Sequence, residues 1–277
     1  MKTRLVGVFA ALLSLSCEAP RPPAPKAESN ASATQKAPPP KTAAAPFPTL
    51  TAPRLSPGSV LVMDGALDEP AWRDAADTGT FVDVSTGREN PKLPVQGRAR
   101  LLWDDDAFYV GFEVQDRDVR GGFPEGAIDP HLWERDTIEI MIDPDGNGDN
   151  LDYYEIQINP QGLVFDSQFD GYNRPNGGGK GPFGHEEWSA DAVRKVVVKG
   201  TLDDASDRDE GYVVEAKIPW KGLSLAKSSP PKAGDTWRMN FYAMQDNGGV
   251  SWSPILRQGN FHKASRFGRV TWSATAP

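Results

Sequence analysis

The stretch TIEIMI at residues 137–142 places three isoleucines on one side of an extended chain and Glu139 on the other. Alternation with a period of two is typical of a β-strand that is buried on one face. The same alternation recurs at residues 108–114, 154–159, 212–218 and 237–242. Clusters of turn-forming residues separate these segments, and the helical segments are short, with the clearest at residues 69–75. We therefore predict an all-β fold, an antiparallel, jelly-roll-like β-sandwich with long loops and few short helices.

The polar partners of these apolar rows are expected on the outer faces of the sandwich. They are Glu139, Glu155, Gln157, Asn159, Glu215, Lys217, Arg238, Asn240 and Tyr242. Such a face is either simply solvated or the floor of a polar ligand groove, because carboxylates and amides supply the acceptors and donors that sugar hydroxyls need. Periodicity by itself favours the solvated face.

Composition and charge exclude several classes of protein. The chain has 277 residues, a net charge of -8 and a single cysteine, so a disulfide framework and a multi-cysteine metal site are excluded. Residues 59–277 carry 23 basic and 36 acidic residues. A body this acidic repels phosphate backbones, so we expect no nucleic-acid partner.

The first 58 residues read as a signal and a tether. Lys2 and Arg4 precede an apolar run at residues 5–13, which is a secretory signal and too short to span a bilayer. The run leads to Cys17 and resembles a bacterial lipoprotein signal, the alternative being an ordinary cleaved signal. Residues 18–58 are rich in proline and alanine, which predicts a disordered linker. We expect an exported, membrane-anchored lipoprotein, periplasmic or at the cell surface, that contacts the membrane only through this lipid anchor.

Several sequence blocks resemble family 9 carbohydrate-binding modules and their relatives. They occur in the family's order, and together they cover about residues 59–274. The blocks are MDGALDEPAW (63–72), LLWD (101–104), FYV (108–110), VQD (114–116), WERDTIEI (133–140), YVVEAKIPW (212–220) and RFG (266–268). The resemblance implies a β-sandwich domain over residues 59–277 that binds carbohydrate without catalysis and supports carbohydrate catabolism by glycoside hydrolases.

The resemblance also implies a sugar site, in which two aromatic side chains hold a terminal sugar and polar groups contact its hydroxyls. The residues at the matching positions are Trp133 and Phe261 as the aromatic pair, Glu139, Gln157 where the family has an arginine, and Asn159. His131 and His262 lie beside the two aromatic residues, so they are either ligand contacts or bystanders, and we favour bystanders. Trp103 and Trp220 are expected in the core. The implied partner is an oligosaccharide or polysaccharide, together with glycoside hydrolases from other chains.

Two acidic groups are candidate calcium sites. Oxygen-bearing side chains alternate at Asp143, Asp145, Asn147 and Asp149, with Gly148 at the sixth place, as in the first half of an EF-hand loop. The twelfth place is Tyr154, so this loop is either a calcium site or a polar turn. The second group is Asp116, Asp118 and Asp136, since the family carries structural calcium near the equivalent segments.

Other functions leave weaker signals. The sequence lacks the common hydrolase, metalloprotease and phosphate-binding motifs, and we expect no enzyme. A glycosidase would need a carboxylate pair, for which Glu139 with Glu215 or Asp136 is the candidate. The alternatives are a degenerate module that binds protein or cell-surface polysaccharide, and a haem-binding electron-transfer domain, since a related sandwich serves as an oxidoreductase subunit. The candidate haem ligands are Met141, Met239, Met244 and Lys217.

Overall fold

Two β-sheets face each other in the computed structural model, which describes residues 47–172 and 183–276. The first sheet contains β1 (Thr49–Ala52), β3 (Val82–Asp83), β6 (Thr137–Asp143), β7 (Tyr153–Ile158), β8 (Val164–Phe169), β11 (Thr236–Gln245), β12 (Gly248–Ser251) and β13 (Gly268–Trp272). Its main order is β1-β13-β11-β6-β7-β8, with β12 paired to β11 and β3 paired to β12. The second sheet contains β2 (Ala76–Asp77), β4 (Val95–Trp103), β5 (Ala107–Asp116), β10 (Gly211–Pro219) and β9 (Val193–Lys199), in the order β2-β4-β5-β10-β9.

The prediction of an all-β sandwich is confirmed. The described strand pairs are antiparallel except for β1 and β13, which run parallel. The described helices are one short helix, α1 (Pro70–Arg73), inside the predicted segment, and three 3-10 turns at Leu132–Glu134, Trp220–Gly222 and Ala264–Arg266.

The space between the sheets is filled by the apolar rows that the alternation predicted. Ile138, Ile140 and Ile142 of β6 lie in this core, together with the inward residues of β5, β7 and β10. Trp103 and Trp220 are buried there in edge-to-face contact with each other, with ring centroids 6.3 Å apart, so their predicted core placement is confirmed.

The folded body begins earlier than the sequence-based boundary at residue 58. Strand β1 pairs with β13 from Thr49 to Ala52, and Ala52 is buried in the core. Phe47 lies among three arginine side chains, with its ring centroid 4.9 Å from the Cζ of Arg266 and 5.2 Å from that of Arg269. The boundary was placed too late because this short strand follows a proline-rich stretch and has little apolar content of its own.

The opening block at residues 63–72 is held against the outer face of the second sheet by Glu215. Its carboxylate accepts hydrogen bonds from the backbone N–H groups of Asp64 and Gly65 at 3.0 and 2.9 Å and from the indole of Trp72 at 2.9 Å. Gly65 has a positive φ of 87°, and an added Cβ would lie 2.8 Å from Val197, so only glycine fits there. A buried glutamate on this face is therefore a structural clasp.

The predicted signal, Cys17 and most of the predicted linker lie outside the described residues. Within the described part of the chain, no helix is long and apolar enough to cross a membrane.

Candidate functional site

The outer face of the first sheet carries a cavity of about 210 Å³. Strand register places Glu139 of β6 between Tyr242 of β11 and Gln157 of β7, with Phe165 of β8 next in the same row. Glu155 lies in the adjacent row, opposite Met141. The alternation that buries the isoleucines of β6 therefore points these polar side chains to the other face, where they form the floor of the cavity.

One amide holds the two carboxyl groups of the floor. Gln157 Nε2 donates to Glu155 Oε1 at 2.6 Å and to Glu139 Oε2 at 3.2 Å. Glu139, Glu155 and Gln157 are only 2%, 4% and 1% exposed. Glu139 Oε1 and Gln157 Oε1 are buried and have no hydrogen-bond partner. Buried polar atoms normally have partners, so these two oxygens are the unsatisfied acceptors of the floor.

Burial in this floor raises the pKa of both glutamates above its usual range, and the charge of Glu155 raises the pKa of Glu139 further. The two carboxyl groups therefore hold a proton more firmly than isolated glutamates do. Burial lowers the pKa of the neighbouring His262 to about 3, so this imidazole is neutral at physiological pH. Its Nε2 lies 3.6 Å from Glu155 Oε2, and its Nδ1 is hydrogen-bonded to the hydroxyl of Tyr153 at 2.9 Å.

Aromatic side chains form much of the wall. Trp133 stands on the 3-10 turn Leu132–Glu134, which is fixed by the buried Leu132 and by a hydrogen bond from Asn247 N to Trp133 O at 2.9 Å. His131 stacks on one face of the indole, with ring centroids 4.4 Å apart, and Phe165 meets the indole edge-to-face at 5.0 Å. Only the remaining indole surface is available to a ligand. The other aromatic residues of the wall are Phe169, Tyr172, Phe183 and Phe261.

Phe261 and His262 reach the cavity on a loop that other elements hold in place. The Tyr242 hydroxyl donates to Phe261 O at 2.8 Å, and its ring meets Phe261 edge-to-face at 5.1 Å. Asn150 fixes the other end of the loop, since its amide donates to His262 O and its Oδ1 accepts from Ala264 N at 3.0 Å. Asn150 belongs to the loop between β6 and β7 (residues 144–152), which we call the acidic loop. This loop therefore supports the wall of the cavity.

Four of the five sugar-site residues predicted from the resemblance line this cavity: Trp133, Glu139, Gln157 and Phe261. Asn159 is not among the lining residues. Its buried Oδ1 accepts from Gln161 N at 3.1 Å and Leu163 N at 2.9 Å and so shapes the turn between β7 and β8.

Sequence reasoning missed most of the other lining residues. Alternation placed Glu155 on the outer face together with Gln157, and only the resemblance left it out of the sugar site. His262 was expected to be a bystander, whereas it lines the cavity and contacts Tyr153. Tyr172, Phe183, Asn247 and Asn260 come from loops that carry no periodic pattern.

The acidic loop uses its oxygen atoms to make turns. Asp143 accepts from Gly146 N at 3.1 Å and Gly148 N at 2.9 Å. Asp145, Asn147 and Asp149 each accept from the backbone N–H two residues further on, at 3.0, 2.8 and 2.9 Å. The last three contacts are Asx turns, in which one side-chain oxygen of each residue accepts from the backbone. The loop therefore has the geometry of a polar turn, which was the alternative to a calcium site.

The second acidic group is more deeply buried and less satisfied. Asp116 Oδ2 accepts from Gln245 Nε2 at 3.1 Å, and Asp136 Oδ2 accepts from Arg120 N at 2.5 Å. Asp136 Oδ1 is buried without a hydrogen bond, 3.8 Å from Arg120 Nη2, and the hydroxyl of Tyr212 also lacks a partner. Across residues 47–172 and 183–276, no three acidic, histidine or cysteine side chains are grouped as a metal ion would require. The Asp116–Asp136 pair therefore offers two carboxylates, one of which has an oxygen that accepts no hydrogen bond.

The residues proposed for other chemistries are divided between the two sheets. Of the four candidate haem ligands, Met141 and Met244 belong to one buried cluster on the outer face of the first sheet, and only Met244 lines the cavity. Met239 is in the core between the sheets, and Lys217 lies over Tyr109 on the second sheet. Glu215, the proposed catalytic partner of Glu139, belongs to the second sheet and is fully engaged with residues 64–72. Asp136, the other proposed partner, does not line the cavity and accepts a hydrogen bond from Arg120 N. The structure therefore brings neither proposed partner into the cavity with Glu139.

Curated proteins similar to this chain are polysaccharide-degrading enzymes. The exoglucanase XynX of Acetivibrio thermocellus is 28% identical over 166 residues, which are 59% of this chain and 12% of that protein. The endo-1,4-beta-xylanase C of Paenibacillus barcinonensis is 30% identical over 200 residues, which are 69% of this chain and 15% of that protein. The chain thus matches a small part of each enzyme.

Two solved structures share the fold. A carbohydrate-binding module of family 9 from Caldicellulosiruptor kristjanssonii, solved with cellotriose, has a TM-score of 0.51 at 18% identity and is covered over 98% of its length, against 83% of this chain. A putative carbohydrate-binding protein from Bacteroides uniformis has a TM-score of 0.58 at 18% identity, with 100% and 82% covered. The family described as carbohydrate family 9 binding domain-like matches residues 63–274. This match spans most of the chain, and the protein therefore belongs to that family of non-catalytic carbohydrate-binding modules.

Proposed function

We propose that the cavity on the first sheet binds one sugar residue at a time, as part of an oligosaccharide or polysaccharide. The observation that carries the proposal is the pair of buried, unpartnered oxygens, Glu139 Oε1 and Gln157 Oε1, on the floor of a cavity with aromatic walls. A pyranose ring has hydroxyl groups on its rim and C–H groups on its faces. The floor would accept hydrogen bonds from the hydroxyls, and the aromatic surface would cover the faces.

The size of the cavity suits a single ring. Its volume of about 210 Å³ is below the ~300–1,000 Å³ of the pockets that hold drug-sized ligands. Family membership and the cellotriose in the solved family 9 module from Caldicellulosiruptor kristjanssonii support the same ligand class. One small cavity makes few hydrogen bonds, so we expect dissociation constants of about 1 μM to 1 mM.

We propose that the domain works outside the cytoplasm. The basic tip, the apolar run at residues 5–13 and Cys17 support export and lipid anchoring, and the proline-rich stretch from residue 18 would hold the domain away from the membrane. Similarity to segments of two polysaccharide-degrading enzymes supports a role beside glycoside hydrolases in carbohydrate catabolism.

We also propose that calcium binds at Asp116 and Asp136. Asp136 Oδ1 accepts no hydrogen bond and lies 3.8 Å from Arg120 Nη2. This oxygen supports the site, because calcium prefers carboxylate and carbonyl oxygen ligands. When bound there, the ion would neutralise two carboxylates that burial leaves with raised pKa values, of about 6 for Asp116 and about 7 for Asp136. Chelation should then lower the Tm of the wild-type protein and leave that of Asp136→Asn unchanged, and an equal Tm with and without chelator would overturn the proposal.

The sugar proposal is tested by calorimetric titration with glucose, cellotriose and xylo-oligosaccharides. Trp133→Ala removes aromatic wall, and it should weaken binding about tenfold, or ~1.4 kcal/mol. The matched control is Trp188→Ala, because Trp188 is the other partly exposed tryptophan among the described residues and does not line the cavity.

The control variant should bind sugar as the wild type does, provided that circular dichroism shows both variants folded. Unchanged binding by a folded Trp133→Ala variant would contradict the site. Failure of the wild-type protein to bind any member of a wider glycan panel would contradict the function.

A further inference from the structure

The floor of the cavity offers unpartnered oxygen atoms and no free N–H donor. Gln157 uses its amide nitrogen on Glu139 and Glu155, which leaves its own Oε1 facing no donor. Glu139 Oε1 is likewise unpartnered. A neutral sugar hydroxyl both donates and accepts, so it matches such a floor only in part. A group that donates and never accepts matches it better.

The floor is also acidic. Glu139 and Glu155 are both more than nine-tenths buried, and the lining residues that the structure describes include no lysine or arginine. His262 does not compensate for their charge at neutral pH, because burial lowers its pKa to about 3. A cationic ligand would therefore find two carboxyl groups and no competing protein cation among these residues.

We propose that this cavity prefers a sugar that carries a protonated amino group, such as the glucosamine units of deacetylated chitin, over the corresponding neutral sugar. The inference rests on the proposed sugar-binding function and names its ligand class. An ammonium group has three donors, no acceptor and a positive charge, and it fits a floor of unpartnered carboxyl and amide oxygens. A uronic acid has the opposite charge and is disfavoured.

The same floor makes the preference depend on pH. Burial and mutual repulsion keep a proton on the Glu139–Glu155 pair, and an arriving ammonium group takes the place of that proton. The other titratable groups around the pair are Tyr153, Tyr172, Tyr242 and His262. Burial raises the pKa of Tyr153 and of Tyr242, so both stay neutral across the working range. The preference for an amino sugar should therefore grow between pH 5 and pH 7, with protons released on binding.

The test is calorimetric titration of the protein with glucosamine, glucose, N-acetylglucosamine and glucuronate at pH 7. Glucosamine should bind about tenfold more tightly than glucose, and glucuronate should bind most weakly. Repeating the glucosamine titration in buffers with different ionisation enthalpies should reveal proton release that glucose does not cause. Glucose binding without a preference for glucosamine overturns this inference alone, whereas failure of all four sugars overturns the proposed function as well.

A charge variant separates electrostatic recognition from shape. Glu155→Gln keeps an acceptor oxygen and removes one carboxylate, so the ratio of glucosamine to glucose affinity should fall from about ten towards one. Asp204→Asn is the matched control, since it removes one acidic charge at an exposed position in the loop before β10 and should keep the ratio at about ten. A ratio that stays at about ten in Glu155→Gln overturns the assignment of the floor as the charge sensor.

Discussion

Two buried glutamates, each in the middle of a strand and each on an outer face, have opposite roles in this molecule. Glu215 of the second sheet receives three N–H donors, from Asp64, Gly65 and Trp72, and both its oxygens are used. Glu139 of the first sheet receives one donor, from Gln157, and its Oε1 has none. Their exposure is nearly the same, 0% and 2%. Burial therefore does not distinguish a structural carboxylate from one that awaits a ligand, but the supply of donors does.

The difference follows from what covers each sheet. The block at residues 63–72 lies directly on the second sheet and brings its own backbone donors to Glu215. Near Glu139 the first sheet is covered by loops that carry aromatic side chains. These side chains leave a cavity between them. A buried carboxylate without donors costs free energy of folding, and a protein retains such a group where a ligand can satisfy it.

The largest expected effect comes from the same substitution at both positions. Glu215→Gln leaves at least one of three buried N–H groups without an acceptor, so it should lower the free energy of unfolding by about 3 kcal/mol. Glu139→Gln should change it by less than about 1 kcal/mol and weaken sugar binding at least tenfold. Urea denaturation and calorimetric titration of the two variants measure these effects. If both variants lost the same stability, Glu215 and Glu139 would not differ as a structural residue and a ligand-binding residue.

The two glutamates also show how far sequence reasoning reaches. Alternation correctly placed Glu139, Gln157 and Glu215 on outer faces, because a period of two is fixed by the geometry of a strand. The alternation by itself favoured solvated outer faces, and this is wrong at these three positions. The segments that cover these residues are far away in sequence, so the strand pattern does not predict them. Asp64 lies 151 residues from Glu215, and Phe261 lies more than 100 residues from Glu139. No local pattern reports such contacts.

The resemblance to a family supplied what periodicity did not, and it also had a limit. It named Trp133, which begins the block WERDTIEI, and Phe261, which lies five residues before the block RFG, and both residues line the cavity. It did not name Glu155 or His262, whose environment depends on this chain's own packing. Strand β1 was missed for a different reason, since its four residues gain stability only by pairing with β13.

A smaller effect is expected in the pH dependence of stability. The folded protein holds a proton at Glu139 and Glu155 above the usual pKa of a glutamate, about 4.3, so it binds more protons there than the unfolded chain. Stability from this pair is therefore present at low pH and is lost as the pH rises through the raised pKa values. Glu155→Gln should flatten this decline and raise the Tm at pH 8 by ~2–4 °C, a shift that corresponds to about 1 kcal/mol.

Thermal unfolding between pH 4.5 and pH 8 measures this effect. Asp204→Asn serves as the control, because its exposed carboxylate should leave the slope of Tm against pH unchanged. A slope that is identical in the wild type and in Glu155→Gln would mean that the pair is not a buried acid in solution. The low pKa of His262 makes the folded protein less stable as the pH falls below 6.5, which is opposite to the effect of the glutamate pair. The test therefore compares the slope of Tm against pH between the variants and the wild type.

The acidic loop provides a test of how the cavity wall is held. Asn150 donates to His262 O and accepts from Ala264 N, and it has a positive φ of 66° that asparagine and aspartate tolerate. Asn150→Asp keeps the backbone conformation and the acceptor but loses the donor. Sugar affinity should fall about threefold, or ~0.7 kcal/mol, with little change in Tm. The control is Asn147→Asp, which changes the same loop away from the cavity, and an equal loss there would assign the effect to charge.

The smallest effect is expected at the other end of the same outer face, where the chain covers itself. Phe47 lies against Arg238, Arg266 and Arg269, with 4.9–5.8 Å between its ring centroid and each guanidinium carbon. Cation–π contacts at partly exposed sites contribute about 0.5–1 kcal/mol. Phe47→Ala should therefore lower stability by about that amount and leave sugar affinity unchanged, because this end of the sheet already has its cover. A loss of sugar binding in Phe47→Ala would show that the Phe47 end of this face is coupled to the cavity at Glu139. The two ends could then no longer be separated into a surface covered by the chain itself and a surface that binds ligand.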